Sequence, residues 1–242
     1  MEVRRIILVL LLAPTLLFAQ SDLDDYQSEF VWGINKNTSG GLIGGFMFRK
    51  SRKISDNMFQ SLGLEIVNLK HSQETQLRSG TGSTYIFGKT NYLYAFRFQY
   101  GRELILFRKA PQQGVEIKAL AAIGPTLGLH APYYVEISPD AGASLNNTRR
   151  EQYNPRNPDH TINKILGTGY LFQGVYESNL KIGANLKAGL SFELGTIKSN
   201  VTGFELGALV DAYTEDIKLL AGAENRAIYP TAYITIFYGT RR

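Results

Sequence analysis

The sequence has no cysteine in 242 residues. That excludes disulfide staples, a thiol nucleophile and a thiolate metal site. Past residue 20 it has no apolar run near the ~20 residues that carry a helix across a bilayer. Histidine occurs three times, as His71, His130 and His160, with no zinc-binding spacing among them. Phosphate-cradling glycine loops and dinucleotide fingerprints are missing as well. Positive charge is in modest excess. The formal +5 includes Glu2, Arg4 and Arg5, and without that segment +4 remains. That is too little to argue for nucleic acid.

The N-terminus reads as a targeting segment. Arg4 and Arg5 precede an apolar stretch from Ile6 to Phe18, broken by Pro14, and Ala19 supplies a small residue for cleavage. Residues 1–19 are therefore expected to be a secretory signal peptide. A retained membrane helix is the alternative, and the apolar stretch is short for it. Residues 20–27 form a short periplasmic segment carrying Asp22, Asp24 and Asp25, and 28–242 form one domain.

What the chain has in abundance is alternation. From Leu180 to Leu194 every even position is apolar and every odd one is polar, charged or glycine. A strand sends alternate side chains to opposite faces, so this is one long strand with a dry face and a wet face. Such length exceeds the roughly 5–6 residues of a usual strand and suits the ~9–11 that cross a bilayer at a tilt. The same period marks Ser28–Lys36, Gly41–Arg52, Met58–Lys70, Asn91–Phe107, Val115–Val135, Val201–Tyr213 and Arg226–Tyr238. Short and long connections alternate between most of these segments. The expected fold is all-β: an eight-stranded antiparallel up-and-down transmembrane barrel with short periplasmic turns and longer external loops. The polar stretch 71–90 reads as a loop. The insertion 137–179 is the longest external loop, and its second half reads as a short helix or a plug. A soluble barrel of lipocalin type is the rival, with the polarity of its two faces reversed.

Several segments resemble a known group. Tyr94–Leu129, Lys187–Gly195 (KAGLSFELG) and Tyr229–Gly239 (YPTAYITIFYG) are similar to small outer-membrane barrel proteins of Bacteroidota, of the PorT-like and OmpX/OmpW-like kind. The resemblance implies an outer-membrane barrel without catalytic residues or cofactor. It also implies a place in an envelope complex of the secretion or barrel-assembly type, with other outer-membrane or periplasmic proteins and the membrane lipids as partners.

The residues themselves offer four candidate constellations. By strand parity Glu65, Arg97, Glu116, Lys118, Lys181, Lys187, Glu193, Glu205 and Asp211 face the lumen. Glu103 joins them unless Gly101 marks a bulge that reverses the face. In so narrow a barrel they must pair, because an isolated buried charge is very costly. An ion-pair network in place of an apolar core is expected, with a gated pore as the alternative. His71 and His130 lie near external strand ends, with Ser72, Glu74 and Thr126 in reach, which leaves a lipid-modifying hydrolase open. Tyr92, Tyr94, Phe96, Phe98 and Tyr100 make an outward aromatic row that reads as girdle or as a face for a protein partner. Arg49, Lys50, Arg52, Lys53, Arg108, Lys109, Lys198, Arg241 and Arg242 form a basic periplasmic ring, suited to lipid headgroups. No catalytic, cofactor or metal site is assigned.

Overall fold

A computed structural model describes residues 26–40, 44–109, 114–139, 147–170, 172–194 and 200–242. The expected signal peptide, Asp22 to Asp25 and Lys198 lie outside the described residues. Thirteen strands follow in order: β1 (Ser28–Asn37), β2 (Gly45–Ser55), β3 (Met58–Leu69), β4 (Gln76–Arg78), β5 (Thr84–Ile86), β6 (Asn91–Phe107) and β7 (Val115–Pro132). After them come β8 (Tyr134–Ile137), β9 (Arg149–Gln152), β10 (Ile165–Thr168), β11 (Asn179–Leu194), β12 (Asn200–Ile217) and β13 (Arg226–Arg241). Eight of them close a barrel in the order β1, β2, β3, β6, β7, β11, β12, β13. Every neighbouring pair is antiparallel, and β13 returns to β1 from Glu29↔Arg241 to Asn37↔Tyr233.

The polarity of the wall decides between the two barrel types. Phe30, Trp32 and Ile34 on β1, Leu62 on β3, Phe98 and Tyr100 on β6, and Leu186 on β11 point outward and are exposed. Glu65, Arg97, Lys187 and Asp211 alternate with such residues and are buried inside. Water would not solvate this exterior, and lipid would. The even positions of β11 face out and the odd ones face in, as its sequence pattern requires.

The expected strand boundaries shift in places. The segment read as Val115–Val135 divides, because β7 ends at Pro132 and β8 starts at Tyr134. Proline has no N–H for a further ladder bond. Gly101 causes no bulge: β3 and β6 stay in one register from Met58↔Leu104 to Leu69↔Leu93. The irregularity on β6 falls later, between Ile105 and Phe107, so Glu103 keeps its inward face. The stretch 71–90 contains the β4–β5 hairpin.

The insertion 137–179 is a small sheet, not a plug or helix. β8 pairs with both β9 and β10, and among the described residues the helical content of its second half is one 3-10 turn at Val175–Glu177. Tyr85, Tyr133, Val135, Ile137, Tyr153 and Ile165 give this cap its own apolar core, with Leu77 and Tyr92 packed against it. β6, β7 and β12 reach 17, 18 and 18 residues. A tilted strand of that length rises about 45 Å, well beyond the ~25 Å apolar band of a membrane barrel. The excess carries the cap.

One packing device explains a pair of glycines. Gly189 and Gly207 face each other across β11 and β12, and Tyr233 is the next cross-strand neighbour. A Cβ on Gly189 would stand 2.5 Å from the Tyr233 hydroxyl, and one on Gly207 2.9 Å from it. The missing side chains leave the room that the Tyr233 ring occupies. Gly207→Val should therefore overpack the lumen and lower stability by about 2 kcal/mol, read as a drop in the urea midpoint at unchanged slope. Ala208→Val on the lipid face should leave the midpoint in place, and equal losses for the two variants would sink this account.

Candidate functional site: an ion-paired lumen

The middle of the lumen is one connected network. Arg97 donates to Asp211 through Nε at 3.0 Å and Nη2 at 2.6 Å, and through Nη1 to Glu65 at 3.2 Å. Lys187 lies 2.5 Å from the other oxygen of Glu65 and 2.7 Å from Glu205. Glu205 also accepts from Arg49, and from the Tyr233 hydroxyl at 2.8 Å. The Arg49 Nε stands 3.1 Å from Glu103, which accepts from Ser51 at 2.7 Å. Thr126 donates to Asp211, Asn185 to Thr126, and Gln99 to Asn185. These side chains come from seven of the eight barrel strands.

A second tier closes the end with the short turns. Lys118 lies 2.9 Å from Glu29 and 3.4 Å from Glu116. Arg241 bridges Glu29 at 3.1 Å, Glu116 at 3.0 Å and also Glu193, which Lys109 pairs from its other oxygen. Tyr26 enters this mouth from below. Its hydroxyl donates to Glu116 at 3.0 Å, its ring stacks on Phe59, and the Arg241 guanidinium lies over it at 3.9 Å. Across both tiers seven carboxylates (Glu29, Glu65, Glu103, Glu116, Glu193, Glu205, Asp211) meet six cations (Arg49, Arg97, Lys109, Lys118, Lys187, Arg241). Near balance is what lets charges persist in a dry interior.

Toward the loops the lumen turns apolar. Val67, Leu69, Leu93, Ala95, Tyr213, Ile217, Leu219 and Tyr229 cluster above the ion pairs. Above them Lys89 and Glu74 form a buried pair at 2.6 Å, with the Lys89 ammonium 4.8 Å from the centre of the Tyr92 ring. Burial holds that ammonium below its ordinary pKa range, against the pull of Glu74.

Of the residues expected in the lumen, Glu65, Arg97, Glu116, Lys118, Lys187, Glu193, Glu205 and Asp211 come together here. Lys181 does not. It lies at the loop-end rim and pairs with Glu215 at 2.9 Å, because β11 extends past the apolar cluster. The basic ring divides. Arg49, Lys109 and Arg241 turn inward into ion pairs, since Arg49 shares the face of Met47 and Ser51, and Arg241 that of Phe237 and Gly239. Lys50, Arg52 and Arg242 are exposed, Arg108 binds the Asp56 carbonyl and Asn57, and Lys53 lies 3.4 Å from Asp56. The aromatic row divides too. Tyr92 stacks on Tyr94 and meets Tyr133 edge-on, so the chain's own cap covers it, while Phe98 and Tyr100 stay exposed.

Glu103, expected inward in the absence of a bulge at Gly101, joins them, and Glu29, Tyr26 and Tyr233 complete the network outside the expected set. Parity with Phe30 marks Glu29, and extending the last strand to Arg241 would have turned that residue inward. Nothing in the sequence marks Tyr26.

The histidines hold structural contacts. His130 Nε2 lies 2.8 Å from the Lys218 carbonyl, and His71 Nδ1 accepts the Gln73 N–H at 3.2 Å. His160 binds Glu151 at 2.7 Å and accepts the Asn154 N–H at 2.7 Å. Among the described residues no serine or threonine hydroxyl is hydrogen-bonded to any of the three, and no group of acidic and histidine side chains could hold a metal ion.

Removing Arg97 strands Asp211 and leaves Glu65 with Lys187 alone. Arg97→Met should cost about 3–5 kcal/mol in urea unfolding from lipid vesicles. Combining it with Asp211→Leu should recover part of that loss. A double variant as unstable as the sum of the two single ones would show that the pair is not coupled.

No family model matches the chain, and no curated protein matches it. Among solved structures it is similar to Ail, the attachment invasion locus protein of Yersinia pestis, described alone and in complex with the heparin analogue sucrose octasulfate. In both cases identity is 9%, coverage is 90% of this chain and 99% of that one, and the TM-score is 0.38. It is also similar to Neisserial surface protein A, at 9% identity, 90% and 97% coverage and a TM-score of 0.36. The barrel assignment rests on the closed strand register and not on these likenesses.

Proposed function

We propose that this chain is an integral β-barrel of a Gram-negative outer membrane, acting as a structural or accessory subunit of an envelope complex. The observation that carries the reading is the lumen. Its cross-section is taken up by an interlocked network of ion pairs and hydrogen bonds from seven strands, with an apolar layer toward the loops and Tyr26 at the opposite mouth. A barrel filled in this way has its surfaces left to work with. The resemblance to small barrels of Bacteroidota fits that role, and residues 1–19 fit the export it needs.

Neither rival gains support. A hydrolase needs a histidine that activates a nucleophile, and the three here are tied to carbonyl, backbone N–H or carboxylate groups. A channel needs water past Arg97, Lys118, Lys187, Glu193 and Glu205, all of which are paired and buried. The partner-facing surface is the uncovered stretch of β6, Phe96 and Phe98, since aromatic rings are favoured anchors at interface centres.

Two measurements test this. In planar bilayers the purified barrel should give no steady conductance, and Glu193→Gln should add none. A salt-dependent current that changes with this substitution would replace the filled-lumen reading with a pore. In cells, a photocrosslinker at Phe96 should capture protein, whereas one at Leu190 on β11 should capture lipid. Lipid alone at both positions would remove β6 as the docking face.

A further inference from the structure

The turn Phe172 to Glu177, with Tyr170 ahead of it, leaves the cap and lies against the outside of the barrel, beside Tyr94 and Pro132. It is firmly built. The Tyr170 N–H donates to Gln173 Oε1 at 2.9 Å, and the Tyr134 hydroxyl donates to Glu177 at 2.8 Å. Gly174 has φ +83° and approaches Pro132 so closely that a Cβ there would stand 2.8 Å from the Pro132 carbonyl oxygen. Such a turn fixes where its side chains go.

Besides Tyr170, which lies against the Arg150 guanidinium, it sends two rings outward. Phe172 is 61% exposed, and Tyr176 is fully exposed. Phe172 also has φ +61°, and it is the one non-glycine residue among those described with positive φ. A bulky side chain in that region is an outlier that costs free energy. The chain holds an aromatic ring in the open at the expense of backbone strain.

The position of the ring names what it meets. Phe172 lies 6.1 Å from Tyr94, at 52° between the planes. Tyr94 starts the outward face that continues through Phe96, Phe98 and Tyr100, with Leu129 and Leu127 beside it on β7. The turn is thus continuous with the apolar belt of the wall. Its other side is polar: Arg150 donates to the Tyr170 hydroxyl at 2.6 Å and lies over that ring. Aromatic rings between an apolar belt and charged groups match the chemistry of a lipid headgroup layer.

We propose that Phe172 and Tyr176 form a membrane anchor, with the turn placing both rings in the headgroup layer at the loop end of the barrel. The anchor adds a fixed point outside the barrel wall, and it ties the cap to the bilayer surface. The proposal rests on the membrane-barrel reading, and the native Trp32 separates the two in one experiment. Trp32 is exposed on the outer face of β1, away from both strand ends.

The full chain is reconstituted in phosphatidylcholine vesicles containing brominated phosphatidylcholine. Trp32 emission in the unsubstituted protein should be lost most to bromines deep in the acyl chains. In a Trp32→Phe background, Phe172→Trp and Tyr176→Trp are each measured, the second because so exposed a site tolerates the change. Both should lose emission to bromines near the headgroups and resist quenching by aqueous iodide. Iodide quenching with no bromolipid quenching at both positions overturns the anchor, while quenching of Trp32 keeps the barrel in the membrane. Loss of the Trp32 signal would overturn the membrane reading itself. A partner protein as occupant would show as crosslinking from Tyr176 in cells without bromolipid quenching, and that also overturns the proposal.

Discussion

Two carboxylates close on the Arg97 guanidinium, the same arrangement recurs around Lys187 and Arg49, and three carboxylates close on Arg241. The outer wall dictates this pattern. A surface solvated by lipid has no water to offer a charge, so ionised groups within the apolar band must find their partners inside, while Lys50 and Arg52 stay exposed toward the short-turn end. Apart from Lys118 and Glu116, which share β7, the paired strand residues sit on different strands, so these ion pairs are also ties across the barrel. Glycine at 189 and 207, the tilt of Tyr233 over them and the insertion of Tyr26 all serve to bring these ties into reach.

Parity made much of this legible in the sequence. Once Leu180, Ile182 and Leu186 were taken as outward, Lys187 and Glu193 had to be inward, and the same logic placed Arg97 between Phe96 and Phe98. What parity does not give is depth along the strand. Lys181 has the same parity as Lys187 yet lies above the apolar layer, where Glu215 meets it in place of the network. Arg49, Lys109 and Arg241 were read as a basic ring because a cluster of cations near turns looks the same whether it faces lipid or lumen. Only the exact register turns Arg49 toward Glu103 and Glu205.

The cap was the least legible part. Its strands are three or four residues long, too short for alternation to rise above the background of a polar loop. Their pairing depends on contacts between Tyr85 of one insertion and Ile137 and Ile165 of the other. Such contacts cross two loops and leave no periodic trace. Tyr26 was missed for a similar reason, since a single tyrosine before the first strand has no pattern to belong to.

The two ends of the described chain meet at one seam. Gln27 and Ser28 donate to the Arg242 carbonyl, Arg242 donates back to Ser28, and Asn35 reaches Thr235 across 200 residues of sequence. Arg241 adds a second cation to Glu29 beside Lys118. Closure is therefore the last event that assembly can perform. The sheet must wait, edge open, until its final strand has been made. Long sequence separation makes that step intrinsically slow, and the waiting edges are the kind that recruit the wrong strand. Until β13 is in place, β1 is such an edge.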